Sequence, residues 1–173
     1  MPMATVQRQA AADGAPRELR HADERTEDRL RDLGAAMMPL QRLRRTGAGP
    51  MLFNGRTIAT MSGVTPALPF WYEINLHRSV IGTVLTDVRL FHKASGLADL
   101  FRVAEHDDLD AAVAHLESYA AARDAVVPQQ VMQAASSADL AIAVAQLQLH
   151  VDQLCGHFAA VLGELLYALT PAE

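Results

Sequence analysis

The sequence predicts an α+β fold: a small four-stranded antiparallel sheet with a helix packed on one face, a long C-terminal helix, and a charged N-terminal helix or arm. Three observations support this class. Apolar residues alternate with a period of two between residues 51 and 106, and they recur at helical spacing from residue 107 onward. Aromatic residues make up only 5% of the chain, so Ala, Leu and Val must fill the core, which favours helices over a β-sandwich.

Composition divides the 173 residues into three parts. Residues 1–50 form a charged, partly disordered or helical arm that ends in the linker "RRTGAGP". Residues 51–127 form the sheet-plus-helix domain, and residues 128–173 form a long amphipathic helix. The arm carries nine Arg against seven acidic residues, whereas the rest of the chain carries six basic residues against thirteen acidic ones. This asymmetry favours contact between the arm and the acidic body, or between the arm and an anionic partner.

A β-hairpin is the best-defined part of the predicted sheet. In "FWYEINLHR", at 70–78, the even positions are apolar and the odd positions from 73 on are polar, as a strand with one wet face requires. A turn around 79–83 leads into "VLTDVRLFH" at 84–92, which alternates in the same way. Flanking strands are expected at 52–60 and 100–105.

The register of this hairpin follows from its charges. One register sets Trp71 opposite Phe91 and Glu73 opposite Arg89, so that unlike charges face each other. A shift by two residues would set Glu73 opposite Asp87, and like charges directly opposite destabilise a strand pair. The sequence therefore predicts the first register.

Two helices follow the predicted sheet. The first begins with Asp107 or Asp108 as N-cap, carries Asp110 in its first turn, and should lie across the apolar face of the sheet. The second, "SSADLAIAVAQLQLHVDQLCGHFAAVLGELLYAL", begins with the capping-box-like pair Ser136 and Asp139. Charged and His side chains interrupt its apolar residues, which argues against a membrane span.

The second helix carries an apolar seam at 4-3 intervals, the spacing of a coiled coil. The predicted interface residues on this seam are Val144, Leu147, Val151, Leu154, Phe158, Val161 and Leu165. Gly156, Ala160 and Gly163 form a strip of small residues where a second helix could come close. Folding of the seam back onto the chain's own sheet is the alternative that the sequence leaves open.

The sheet face away from the first helix is the second candidate contact surface. Its predicted members are Trp71, Glu73, Asn75, His77, Asp87, Arg89 and Phe91. The N-terminal segment, a partner chain or a small molecule could cover the aromatic pair on this face. A Glu and a His two residues apart on one strand face suffice for proton transfer if a cleft encloses them.

Motifs of catalysis and metal binding are missing from the sequence. No G-x-S-x-G surrounds any Ser, "TGAG" at 46–49 lacks the Lys-Ser/Thr of a phosphate loop, and no motif identifies a protein family. Cys155 and His157 point to different sides of a helix, and His150 lies two turns from His157, too far to share one zinc ion. We therefore predict no catalytic residues, no metal and no cofactor.

These observations favour a non-catalytic accessory or assembly protein, whose C-terminal helix binds a second copy of the chain or docks on a larger protein complex. The alternative is a small-molecule-binding or enzymatic domain that uses the polar sheet face. Nucleic-acid contact through the Arg-rich arm, including Arg42, Arg44 and Arg45, is the third hypothesis, which the net charge of −5 disfavours.

Cysteine usage and the N-terminal residues bear on the compartment. The chain has one cysteine, and residues 1–20 contain no apolar run of the kind found in a secretory signal, so a cytoplasmic location is expected. Fourteen of the fifteen basic residues are Arg, a bias typical of bacteria with GC-rich genomes.

Overall fold

The computed structural model describes residues 38–170, so the charged helix or arm predicted at the N-terminus lies almost wholly outside the described residues. One antiparallel sheet contains five strands in chain order, which are β1 Leu40–Leu43, β2 Met51–Ser62, β3 Phe70–Ser79, β4 Val84–His92 and β5 Leu100–His106. The helical elements that follow are α1 Leu109–Glu117, a 3-10 turn Ala121–Asp124, the short α2 Gln129–Met132 and the long α3 Ser137–Leu169.

The prediction of four strands is wrong, because β1 adds a fifth. This strand lies in the segment that the sequence assigned to the arm and linker, and it pairs with β2 through Leu40 opposite Asn54 and Leu43 opposite Met51. Its four residues, "LQRL", are too few to show an alternation. Pairing with β2, the next strand in the chain, rather than its own pattern, makes this segment extended.

The β3–β4 hairpin has the predicted register. Trp71 lies opposite Phe91, and Glu73 lies opposite Arg89. The turn is closed by a hydrogen bond from the Ser79 N–H to the Thr83 carbonyl, at 2.9 Å. β2 and β5 also lie where strands were predicted, with both elements slightly longer than expected.

The sheet is curled, and two features of the backbone account for the curl. The register of β2 against β3 shifts between Thr57 and Ala59, and a bulge of this kind bends a strand and increases its twist. In the loop after β1, the Thr46 N–H donates to the Phe101 carbonyl and the Thr46 hydroxyl accepts from the Phe101 N–H, both at 2.9 Å. The loop after the first strand therefore joins the last strand.

The main core lies on the outer face of the curl, where α3 packs on β2 and β3 and α1 packs on β4 and β5. Both helices have the predicted caps, with Asp108 accepting from the Ala111 N–H and Ser136 accepting from the Asp139 N–H. A smaller apolar cluster of Leu43, Phe53 and Leu85 fills part of the inside of the curl. Between residues 38 and 170, no helix is both long enough and apolar enough to cross a bilayer.

Candidate functional site

The inside of the curled sheet brings together all seven residues predicted for the sheet-face site. Trp71 stacks on Phe91 with ring centroids 5.1 Å apart, and Phe101 adds a third ring at 6.0 Å from Phe91. The Arg44 guanidinium lies 4.4 Å from the centroid of the Phe101 ring, a cation–π distance. The aromatic pair predicted from the sequence is therefore part of a longer row that crosses three strands.

Beside the aromatic row, the polar residues form one hydrogen-bonded network. Arg89 donates from Nη1 to Glu73 Oε1 and from Nε to Asp87 Oδ2, each at 2.8 Å. Asn75 Nδ2 donates to the same Glu73 oxygen at 3.0 Å, and Asn75 Oδ1 accepts from the Thr60 hydroxyl at 2.7 Å. One guanidinium thus holds two carboxylates from neighbouring strands.

His77 lies at the buried end of this network. Its Nδ1 is 3.0 Å from the Thr57 hydroxyl, and its Nε2 is 3.8 Å from Asp87 Oδ2. His77 is 3% exposed and Asp87 is 1% exposed. Within the part of the chain that the structure describes, His77 Nε2 and Asp87 Oδ1 are buried without a hydrogen-bond partner. Such orphaned polar atoms mark a place where water or a ligand group would bind.

The apolar seam of α3 packs on the chain's own sheet along the second half of the helix. The buried members of the seam, which share a core with Ile74 of β3, are Leu154, Phe158, Val161 and Leu165. Leu147 and Val151 are half-buried, and Val144 is 48% exposed. The sequence left open that the seam folds back on the chain's own sheet. The seam does so from Leu154 onward, while Val144 remains on the surface.

The opposite side of α3 presents an apolar surface to solvent. A helix turns by about 100° per residue, and this rotation identifies the apolar and small residues that share this side. All of them are exposed, and we call them the outer stripe: Ile142, Ala145, Leu149, Gly156, Ala160, Gly163 and Tyr167. Ile142 and Leu149 are each 59% exposed, and Tyr167 is 85% exposed. A Cβ added at Gly156 or Gly163 would meet no atom of residues 38–170 within 4 Å, so packing among these residues does not require either glycine.

His157 makes a structural contact with the loop after β2. Its Nε2 lies 2.8 Å from the Gly63 carbonyl, and since a carbonyl accepts only, this nitrogen carries the proton. Its ring also packs near Phe70 and Tyr72. Among residues 38–170, no group of three or more His, Cys, Asp or Glu side chains could hold a metal ion.

A second polar cluster, which sequence reasoning missed, lies on the outer face of the sheet around Asp124. Its Oδ2 accepts from the Tyr72 hydroxyl at 3.0 Å and from the Tyr119 hydroxyl at 2.6 Å, and its Oδ1 lies 3.6 Å from Arg102 Nε. Burial, followed by the Asp124 carboxylate, raises the pKa of both tyrosines. The sequence contained one signal of this cluster, which is the position of Tyr72 on the apolar face of its strand. A Tyr in such a position needs a buried acceptor for its hydroxyl.

Comparisons of the chain with protein-family models, with curated proteins and with solved structures find no match. Function is therefore argued from the geometry of the chain's own residues. The network inside the curl and the outer stripe of α3 are the two surfaces that bear on it.

Proposed function

We propose that this chain is a cytoplasmic, non-catalytic assembly protein that forms a homodimer through the outer stripe of α3. The supporting observation is the composition of that stripe. The water-facing side of a helix normally carries several charged and polar residues, yet this side presents Ile142, Leu149 and Tyr167 with small residues and a single carboxylate, that of Asp152, between them. Contiguous exposed apolar surface of this kind is typical of an interface.

The order of large and small residues along the stripe favours a second copy of the same helix. In an antiparallel pair with its two-fold axis at Gly156, Leu149 would face Gly163 of the other copy, since each lies seven residues from the axis. Tyr167 would face Ala145, since each lies eleven residues from the axis. Leu149 and Tyr167 then each meet a small residue, which is the self-complementarity that a two-fold interface requires.

The two glycines add an energetic argument. A glycine within a helix costs about 1 kcal/mol relative to alanine, and in the described part of the chain Gly156 and Gly163 have no neighbour that excludes a Cβ. Close approach of a second helix would explain both residues, because small side chains let two helix backbones come near each other. The Gly156→Ala variant should therefore stabilise the monomer and weaken the dimer.

The test measures the mass of the full chain by size-exclusion chromatography with light scattering. We expect a dimer for the unaltered chain and a monomer for Leu149→Asp, because the substitution places a carboxylate at an apolar contact. Ile81→Asp is the matched control, since Ile81 is 80% exposed in the β3–β4 turn, away from α3. A substitution at Leu154 would not serve, because this residue is in the core.

Two results would reject the homodimer. One is an unaltered chain that remains monomeric at every concentration tested, and the other is a Leu149→Asp variant that keeps the dimer mass. Docking of the stripe on a different protein, which the sequence also allowed, predicts the first of these results.

A ligand-binding or enzymatic role of the polar sheet face is a second candidate. It is favoured by His77 Nε2 and Asp87 Oδ1, which have no hydrogen-bond partner among the described residues and lie on neighbouring strands inside the curl. A thermal-shift screen of small metabolites tests it. A compound that raises the melting temperature of the unaltered chain and not of His77→Asn would support this role, and a screen without such a compound would count against it.

Nucleic-acid contact through the Arg-rich arm stays a prediction, because most of the arm lies outside the described residues. Its test is salt-sensitive binding of nucleic acid before and after deletion of residues 1–37. The deletion must stop there, since Leu40–Leu43 forms β1.

A further inference from the structure

A cleft of about 460 Å³ opens along the edge of β5 that faces away from β4. Its walls come from the loop after β1, from β5 itself and from residues 115–124. Because the Phe101 N–H bonds to Thr46 at this edge and the direction of N–H groups alternates along a strand, the Val103 N–H points to the same edge. The cleft therefore has a backbone donor as well as side chains.

Positive charge dominates the cleft. Three arginines, Arg45, Arg102 and Arg123, are among the residues that line it, against one acidic residue, Asp124. The formal balance is two positive charges, although residues 38–170 as a whole carry nine basic residues against twelve acidic ones. Like charges gathered in a concave site repel one another, and a bound anion relieves that repulsion.

Two of the three guanidiniums are held in place before any ligand binds. Arg102 Nε lies 3.6 Å from Asp124 Oδ1, and the other oxygen of that carboxylate is fixed by two tyrosine hydroxyls. Arg45 Nε donates to the Gly49 carbonyl at 2.9 Å, which fixes the arginine within its loop. Groups that are already ordered bind a ligand at a smaller entropic cost.

We propose that this cleft binds a small phosphate monoester that has an apolar or aromatic group. Such a phosphate carries about −1.5 to −2 charges at neutral pH, which matches the balance of the three Arg and Asp124 better than one carboxylate does. Arg binds phosphate oxygens through two parallel N–H donors. Phe101, Val103 and Tyr119 form the apolar part of the wall, and the volume is that of ordinary small-molecule sites.

The test is an NMR titration of the full chain with phenyl phosphate, compared with phenol, benzoate and inorganic phosphate. We expect phenyl phosphate to bind most tightly, because it alone has both the dianion and the ring. Arg123→Gln should weaken its binding about tenfold, which corresponds to about 1.4 kcal/mol. Arg123 makes no side-chain hydrogen bond or ion pair within residues 38–170 that its loss would disrupt. Arg78→Gln, at an exposed site on β3, is the matched control and should bind as the unaltered chain does.

Several outcomes would overturn the proposal. Equal binding of phenyl phosphate to Arg123→Gln and Arg78→Gln would show that the cleft is not the binding site. Arg45→Gln replaces Arg123→Gln in this comparison if Arg123→Gln does not fold. Equal affinity for inorganic phosphate and phenyl phosphate would show that the apolar wall does not contribute to binding. A short single-stranded oligonucleotide that binds more tightly than phenyl phosphate, with strong salt dependence, would assign the cations to nucleic acid.

Discussion

Tyr72 and Asp124 are 52 residues apart in the chain, yet the Tyr72 hydroxyl donates a buried hydrogen bond to Asp124 Oδ2 at 3.0 Å. The bond joins the centre of the sheet to the 3-10 turn that forms one wall of the cleft at the edge of β5. Tyr119 donates to the same oxygen, so the carboxylate is held from two sides. The position of Arg102 in the cleft depends on this arrangement.

Removal of the Tyr72 hydroxyl should therefore destabilise the fold. We expect Tyr72→Phe to lower the free energy of unfolding by about 1–2 kcal/mol, because a buried carboxylate loses one of its donors. Urea denaturation measures the change. Tyr167→Phe is the control, since Tyr167 is 85% exposed and its hydroxyl has no buried partner among residues 38–170. Equal stability of the two variants would show that the bond contributes nothing.

Within the network inside the curl, loss of the positive charge should destabilise the fold more than loss of a negative charge. Arg89→Met should cost about 3 kcal/mol, because the buried Asp87 carboxylate would lose the guanidinium that neutralises it. Glu73→Gln should cost less, since Glu73 is partly exposed and the substitution removes a charge without leaving a buried one unpaired. Arg78→Met, on the same strand as Glu73 but exposed, is the control. Similar losses of stability in all three variants would show that Arg89 does not neutralise a buried Asp87 carboxylate.

Packing of α3 on the sheet predicts different costs on its two sides. Leu154→Ala should lower the free energy of unfolding by about 2–5 kcal/mol, because it leaves a cavity in the core. Leu149→Ala should change it by less than about 0.5 kcal/mol when measured at a concentration where the chain is monomeric. The reverse order of the two effects would mean that the helix presents its other side to the sheet.

Glycine positions separate contacts within the chain from contacts between copies. A Cβ at Gly63 would overlap the side chains of His157 and Val161, so Gly63→Ala should cost about 1–3 kcal/mol. The added methyl group of Gly156→Ala meets no neighbour between residues 38 and 170, so this variant should raise monomer stability by up to about 1 kcal/mol. Thermal and urea unfolding of dilute samples measure both changes, and a destabilised Gly156→Ala monomer would refute the second.

His106 makes the stability depend on pH. Burial, and then the neighbouring His115 ring at a centroid distance of 4.8 Å, lower the pKa of His106, while Asp107 and Glu105 partly oppose this effect. The Thr86 hydroxyl lies 3.1 Å from its Nε2. Because the folded-state pKa is below that of the unfolded chain, the unfolded chain binds the proton more readily. The free energy of unfolding should therefore fall as the pH drops below about 6.5.

Urea denaturation at about pH 7.5 and about pH 5 measures this dependence. His106→Gln should show a smaller loss of stability on acidification than the unaltered chain. The loss should not vanish, since burial and the nearby His92 also lower the pKa of His150. A variant with the same loss as the unaltered chain would show that His106 does not contribute.

Local patterns predicted much of the fold. The alternation around Ile74 located the central hairpin, and the requirement that Glu73 face Arg89 chose its register correctly. The same alternation placed the seven sheet-face residues together. It could not show that Thr57 and Thr60 complete their network, because these side chains come from a strand that reaches His77 and Asn75 only after the β2–β3 pairing forms.

Distant contacts escaped prediction for the same reason. The bonds between Thr46 and Phe101 join segments 55 residues apart in the chain, and the short β1 has no alternation of its own that could predict its pairing with β2. The cleft at the edge of β5 gathers Arg45, Arg102 and Arg123 from three elements, and no spacing along the sequence marks such a group.

By itself the sequence determined the properties that neighbouring residues decide: the N-cap of α1 to within one residue, the N-cap Ser136 of α3, how β3 pairs with β4, and that α3 has one continuous apolar seam. Only the tertiary structure decided what covers that seam. Burial of Leu154 and Phe158 removes the same apolar area from water whether the surface is a second helix or the chain's own sheet. The periodicity of α3 is therefore identical in both cases, and the structure shows that the sheet covers the seam from Leu154 onward, while Val144 and the outer stripe stay exposed.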